Sequence, residues 1–259
     1  MDIYDEIQQL KKEGKAAALI TVIETKGSTP REEGAKMIVV EDGTIRGTIG
    51  GGCVEGQVYE EAKEIIRKGG LKILEFDLLD DELDGEGQMC GGKMKVLIES
   101  LAPQKNVIIF GAGHISLYLS KICKMLDFNV TVTDDREEYA SRERFPEADN
   151  VIVSEFEKVF EKISVNHNTY IVIVTRGHKY DKMMLEESLK TDAFYIGMIG
   201  SRSKLKGIFD SLKAKGFSEE DIKRVHSPIG IPIHSESPQE IAISIAAELI
   251  KESKENAHS

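Results

Sequence analysis

Residues 107–135 constrain the fold of this chain more than any other stretch. Val107, Ile108, Ile109 and Phe110 form a short, wholly apolar run of the kind that fills a parallel sheet covered on both faces. Gly111, Ala112, Gly113, His114, Ile115 and Ser116 then open a helix that extends to about Leu126, residues 129–133 form a second strand, and Asp134 and Asp135 end it. Strand, glycine turn, helix, strand and acid is the pattern of a dinucleotide fold. Gly111 and Gly113 would let the backbone approach a pyrophosphate, and Asp134 would meet a ribose hydroxyl. Ser116 stands where the pattern has its third glycine, and is small enough to keep helix against strand.

The alternation continues with strands at 151–153, 170–174 and 194–199 and helices at 156–163 and 181–189. The loops after the last two strands carry Arg176, His178 and Asp181, then Ser201, Arg202 and Lys204. Both would emerge on the same carboxyl edge as Gly111 and His114, where open α/β sheets bind ligands. Residues 106–259 are therefore expected to form a Rossmann-like parallel-sheet domain. The end of the chain adds a helix behind Ser237, Pro238 and Glu240, a capping box with proline at the first helical position. His167, His226, His234 and His258 have no obvious partner in the sequence.

Residues 1–101 read as a small α+β module. A helix capped by Asp2 and ended by Gly14 precedes a strand at 16–24, a polar turn at 25–34, and a strand at 37–40 that turns at Asp42 and Gly43. Residues 44–49 lead into Gly50, Gly51, Gly52 and Cys53, and a helix follows to Lys68. Bare glycine amides at a helix N-terminus favour anions, and a cysteine thiolate is the form that binds soft metals or carries sulfur. Ser28, Thr29 and Arg31 could reach the same place and suit a phosphate or carboxylate, although a solvated turn would look much the same. After a strand at 71–78 and an acidic loop at 80–87, Cys90 again touches paired glycines, Gly91 and Gly92. Two glycine-flanked cysteines could flank one soft-metal or sulfur-chemistry site. Cys123 lies on an apolar helix face and reads as core.

Composition narrows the function. A net charge of -11 argues against a nucleic-acid surface and a basic membrane patch. The longest apolar segment, residues 241–250, is about half of the ~20 residues that cross a bilayer. Three cysteines without zinc-like spacing, and an acidic start unlike a signal peptide, fit a reducing cytoplasm.

The chain as a whole resembles the XdhC/CoxI family, accessory proteins of xanthine dehydrogenase and related molybdenum hydroxylases. The segments that carry the resemblance are residues 27–31 with 34–37, 50–55, 90–92, 111–114, 134–136, 144–146, 195–202, 228–230 and 237–242. It implies a non-catalytic maturation factor that receives molybdenum cofactor (molybdopterin), shelters it while a cysteine desulfurase helps replace an oxo ligand by sulfide, and passes it to an apo molybdenum hydroxylase. A homodimer is implied as well. The cofactor contacts would be Ser28, Arg31, Gly50, Gly51, Gly52, Cys53, Glu55, Cys90, Gly91 and Gly92, with Cys53 or Cys90 near molybdenum. In the Rossmann-like domain they would be Gly111, Gly113, His114, Asp134, His178, Ser201 and Arg202.

Two rival readings stay open at this point. An NAD(P)-dependent oxidoreductase would use Gly111, Gly113 and Asp134, but no hydride-transfer constellation accompanies them. A scaffolding dimer that never touches cofactor would leave both cysteines dispensable.

Overall fold

The computed structural model describes residues 2–78 and 92–255. The chain divides into two compact units, Met1–Pro103 and Gln104–Ser259.

In the first unit, helix α1 (Ile3–Glu13) is followed by strands β1 (Ala17–Lys26), β2 (Lys36–Val40) and β3 (Ile45–Gly47), helix α2 (Gly52–Lys68), and strands β4 (Leu71–Asp77) and β5 (Lys93–Leu101). The strands form one antiparallel sheet in the order β3-β2-β1-β5-β4. Side chains alternate between faces along a strand. Ala18, Ile20 and Val22 of β1, with Met94, Val96 and Ile98 of β5, therefore bury one face against Val58, Ala62 and Ile65 of α2. Ala17, Ile38 and Val40 meet Ile7 and Leu10 of α1 on the other. Gly14 ends α1 at φ 72°, and its N–H reaches the carbonyls of Leu10 and Lys11. Asp2 stands at the other end of α1 but makes no capping bond with its side chain, contrary to the sequence reading.

The second unit runs β6 (Asn106–Phe110), α3 (His114–Met125), β7 (Asn129–Asp134), β8 (Asn150–Val153), a 3-10 helix (Phe156–Glu161) and β9 (Thr169–Ile173). It continues with α4 (His178–Leu189), β10 (Tyr195–Met198), α5 (Arg202–Ala214), α6 (Glu219–Lys223), β11 (Val225–His226) and α7 (Pro238–Glu255). All five strand pairs are parallel, in the order β11-β10-β9-β6-β7-β8. Counted from β6 this is the six-strand order of dinucleotide-binding folds, and the direction of winding reverses between β6 and β9. One face packs on α3 and α7 through Leu119, Cys123, Ile245 and Leu249. The other packs on α4, α5 and the 3-10 helix through Met184, Leu185, Leu205, Leu212 and Phe156.

The α-helix expected at 156–163 is a shorter 3-10 helix, Phe156–Glu161, which buries Phe156 and Val159 against the sheet. Helix α4 begins a turn earlier than expected, since the Gly177 carbonyl accepts from the Asp181 N–H (3.1 Å). The capping box expected behind Ser237 is present: Glu240 accepts from the Glu236 and Ser237 amides, and Ser237 Oγ from the Glu240 amide.

Candidate functional site

At one end of the first sheet three separate stretches meet. The chain enters α2 through Gly50, Gly51 and Gly52, all at positive φ (132°, 76° and 67°), a backbone that L side chains rarely adopt. A Cβ on Gly50 would lie 2.6 Å from Pro30 Cβ and 3.6 Å from Arg31 Cγ, so the 27–31 loop packs directly on the glycine turn. A Cβ on Gly92 would collide with the carbonyls of Ser28 and Lys26, the latter at 2.6 Å. Ser28, Arg31, Gly50 and Gly92 are thus gathered in one place. Gly51 and Gly52 face open space.

Cys53 is the second residue of α2 and exposed, and Arg31 is exposed with no carboxylate partner among the described residues. The acidic loop, Cys90 and Gly91 lie outside the described residues. Among those residues no group of three His, Cys, Asp or Glu side chains is placed to hold a metal. A neighbouring hollow of about 280 Å³ is lined by Lys26, Lys93, Lys95, Glu24, Glu75 and Asp77. These pair with one another, Lys93 with Asp77 (2.8 Å) and Lys95 with Glu24 (3.1 Å) and Glu75 (3.2 Å), so the hollow offers an anion little.

The glycine amides are not all free. Glu55 Oε2 accepts from Thr48 Oγ1 (2.7 Å), the Gly51 amide (3.0 Å) and the Ile49 amide (3.3 Å), while Thr48 Oγ1 accepts from the Gly50 amide (3.1 Å). The sequence reading set a ligand phosphate on Gly50, Gly51 and Gly52. The structure leaves the Gly52 and Cys53 amides, at the first two helical positions with no carbonyl four residues back inside the helix. Thr48 went unnoticed in the sequence, although a hydroxyl two residues before a glycine turn is the signal that could have found it.

In the second unit, the turn after β6 lies at the winding reversal. Gly111 has φ 103°, and a Cβ there would sit 2.5 Å from the Val174 carbonyl and 2.9 Å from Thr175 Cα. Gly113 faces open space and His114, exposed, starts α3. The Ser116 hydroxyl donates to the Gly111 carbonyl, replacing the packing of a third glycine with a bond across the turn.

Asp134 is almost wholly buried and its carboxylate is fully engaged. It accepts from the Ala112 amide (2.9 Å), the Arg136 amide (3.1 Å), and Arg136 Nε (2.9 Å) and Nη2 (3.1 Å). Burial opposes its ionisation, yet the Arg136 guanidinium and the two amides outweigh it and hold the carboxyl below the usual range. Arg136 in turn lies 3.6 Å from the Tyr139 ring centre. Asp135 takes a two-pronged bond from Arg176 (2.8 and 2.7 Å), joining the loop after β7 to the loop after β9. A ribose hydroxyl would have to displace one of these donors. Asp181 is buried 2.6 Å from Thr175 Oγ1, Ser201 stands before α5, and the side chains of His178, Arg202 and Lys204 lie outside the described residues.

His226 has the partners the sequence did not reveal. Its ring packs at a tilt on Tyr195 (centroids 4.6 Å apart) and lies 3.5 Å from Glu248 and 3.9 Å from Glu252, one turn apart on α7. Glu248 also accepts from the Tyr195 hydroxyl (2.7 Å) and the Gly230 amide.

A cysteine-bearing antiparallel unit, followed along the chain by a Rossmann-type unit, sets the kind of protein this is. The profile of the XdhC Rossmann domain matches residues 107–249, and that of the XdhC and CoxI family matches residues 10–77. This chain belongs to the XdhC and CoxI family. It is 32% identical to Escherichia coli YqeB over 97% of its own length but spans 46% of that relative. It is 22% identical to a Bacillus subtilis protein named as a probable subunit of xanthine dehydrogenase (98% of each chain). It is also 22% identical to the Escherichia coli "Molybdenum cofactor insertion chaperone PaoD" (91% of this chain, 83% of PaoD). Its fold is like that of a Bacillus halodurans crystal structure described as a xanthine dehydrogenase, with TM-score 0.55 and 23% identity over 98% of this chain and 96% of that one. No helix among the described residues is long and apolar enough to cross a membrane.

Proposed function

We propose that this protein is a maturation factor that binds molybdenum cofactor at the Cys53 turn and hands it to an apo-hydroxylase of the xanthine dehydrogenase type. The observation that carries the reading is the exposed Cys53 thiol on a three-glycine turn, with the Arg31 loop packed against that turn. The names of the Bacillus subtilis relative and of PaoD point the same way.

The donor set fits such a ligand. Bound there, the cofactor would supply a soft metal centre, which suits a thiolate, and a phosphate, which suits Arg31 and the amides of Gly52 and Cys53. The open space over Gly51 and Gly52 allows entry and release from solvent. In this reading Cys90 is the second sulfur ligand or relay, a cysteine desulfurase is the sulfur donor, and two copies act together as a homodimer. The N-terminal unit is then the cofactor holder and the Rossmann-type unit a support or docking module.

The test is the molybdenum and oxidised-pterin content of protein purified anaerobically, for wild type and Cys53→Ala, with NADH and NADPH titrated in parallel. Near-stoichiometric cofactor that falls at least tenfold in Cys53→Ala is expected, with unfolding temperature unchanged. Equal cofactor in both proteins, or none in either together with tight nicotinamide binding, would sink the proposal.

A further inference from the structure

Ile49, Gly50 and Gly51 present three successive amides on the turn before α2, and each already has an acceptor from within the protein. Glu55 takes two of them and Thr48 the third, and the Thr48 hydroxyl donates to Glu55 at 2.7 Å, so the two side chains form one closed network. A carboxylate here lies at the positive end of α2, where it is favoured, and is half-buried. The three glycines gain nothing from their left-handed backbone by themselves. Glycine is the most conformationally free residue, and three in sequence would sample many shapes without an outside constraint. Pro30 against Gly50 supplies part of that constraint. The Glu55 network supplies the rest, and every donor and acceptor in it belongs to the chain itself.

We infer that Glu55 is the positioning residue of the Cys53 site: its carboxylate is an internal anion that holds the Gly50–Gly52 turn in its binding shape and so presents the Cys53 thiol before any ligand arrives. This rests on the proposal that Cys53 contacts the ligand. It also closes the amides of residues 49–51 to a ligand phosphate, so an anionic ligand is held through Cys53, Arg31 and the first amides of α2. A preassembled turn leaves less ordering to be done on binding, and therefore less to be undone on release.

The experiment compares Glu55→Ala, Glu55→Gln and Thr48→Val with wild type, using two readouts. The first is hydrogen exchange of the peptide spanning residues 48–57 in ligand-free protein. Exchange at amides 49–51 should speed up at least tenfold in Glu55→Ala, and Glu55→Gln, which keeps one acceptor oxygen, should restore part of the protection. The second is cofactor affinity in a double-mutant cycle with Cys53→Ala. Glu55→Ala should weaken binding at least tenfold when Cys53 is present and by less than twofold when it is absent, because Glu55 acts through the thiol. If Glu55→Ala does not fold, Thr48→Val carries the same comparison. Unchanged exchange at amides 49–51 overturns the inference, as does equal weakening in both backgrounds. Loss of Cys53 without effect on binding overturns the site reading instead, and leaves the exchange result to decide the role of Glu55.

Discussion

Replacing Asp134 by alanine should destabilise the second unit by an amount the structure lets us work out. The carboxylate is 2% exposed and accepts four hydrogen bonds, two from backbone amides and two from the Arg136 side chain. Its loss strands the buried Ala112 amide, which costs about 1–3 kcal/mol. The Arg136 guanidinium is 25% exposed and can turn to water while keeping its place over Tyr139, so the ion-pair part is worth about 1 kcal/mol and no more. The sum is about 3 kcal/mol, or a fall of roughly 6–12 °C in unfolding temperature for a unit of this size. The pH dependence has a definite sign. A carboxyl whose folded pKa is depressed contributes stability that is present above its unfolded pKa of about 3.9 and is lost as pH falls through the folded value. Thermal unfolding followed by circular dichroism should therefore show the full difference between wild type and Asp134→Ala at pH 7 and a shrinking one below about pH 4. A fall of less than 2 °C at pH 7, or a difference that grows towards acid, would refute the reasoning. The former would mean that the network holds nothing together.

Gly111→Ala places a methyl group 2.5 Å from a backbone carbonyl at φ 103°, where neither chain can yield, and should cost about 3 kcal/mol or more by chemical denaturation. His226 has its pKa raised, chiefly by its bond to Glu248 and further by Glu252, against the effect of burial. Its contribution is complete below the unfolded pKa of about 6.5 and disappears as pH rises through the folded value. The stability gap between wild type and His226→Gln should accordingly narrow as pH rises above about 6.5, and an NMR titration of His226 locates the window. Cys53 is exposed, while Cys123 is buried with its thiol pushed up to about 12 by desolvation. A neutral alkylating reagent should label the Cys53 peptide in the native protein and the Cys123 peptide on unfolding, read by mass spectrometry; native labelling of Cys123 would contradict its burial on the sheet-facing side of α3.

Much of this was legible in one dimension. Periodicity announces the Rossmann-type unit, because an apolar run, a glycine turn and an amphipathic helix each report on neighbours a few residues away. The same holds for the Asp42–Gly43 turn, where Gly43 has φ 87° and the Thr44 amide donates to Asp42, and for the capping box of α7. The short elements α6 and β11, of five and two residues, were not legible, since they are too brief to show a period. His226 looked partnerless because Glu248 and Glu252 are more than 20 residues away and meet it only when α7 folds back.

The order of residues was enough to specify the kind of backbone each segment needs: glycine where φ is positive, alternation where one sheet face is buried, an acid at the end of β7. Where the polar groups find their partners emerged only in three dimensions. Glu55 and Asp134 both read as ligand contacts in the sequence, yet both accept from the chain's own amides, at Gly51 and at Ala112. A buried or half-buried carboxylate must find donors, and the packing within each unit, not the order of residues along it, settles whether those donors come from a ligand or from the protein.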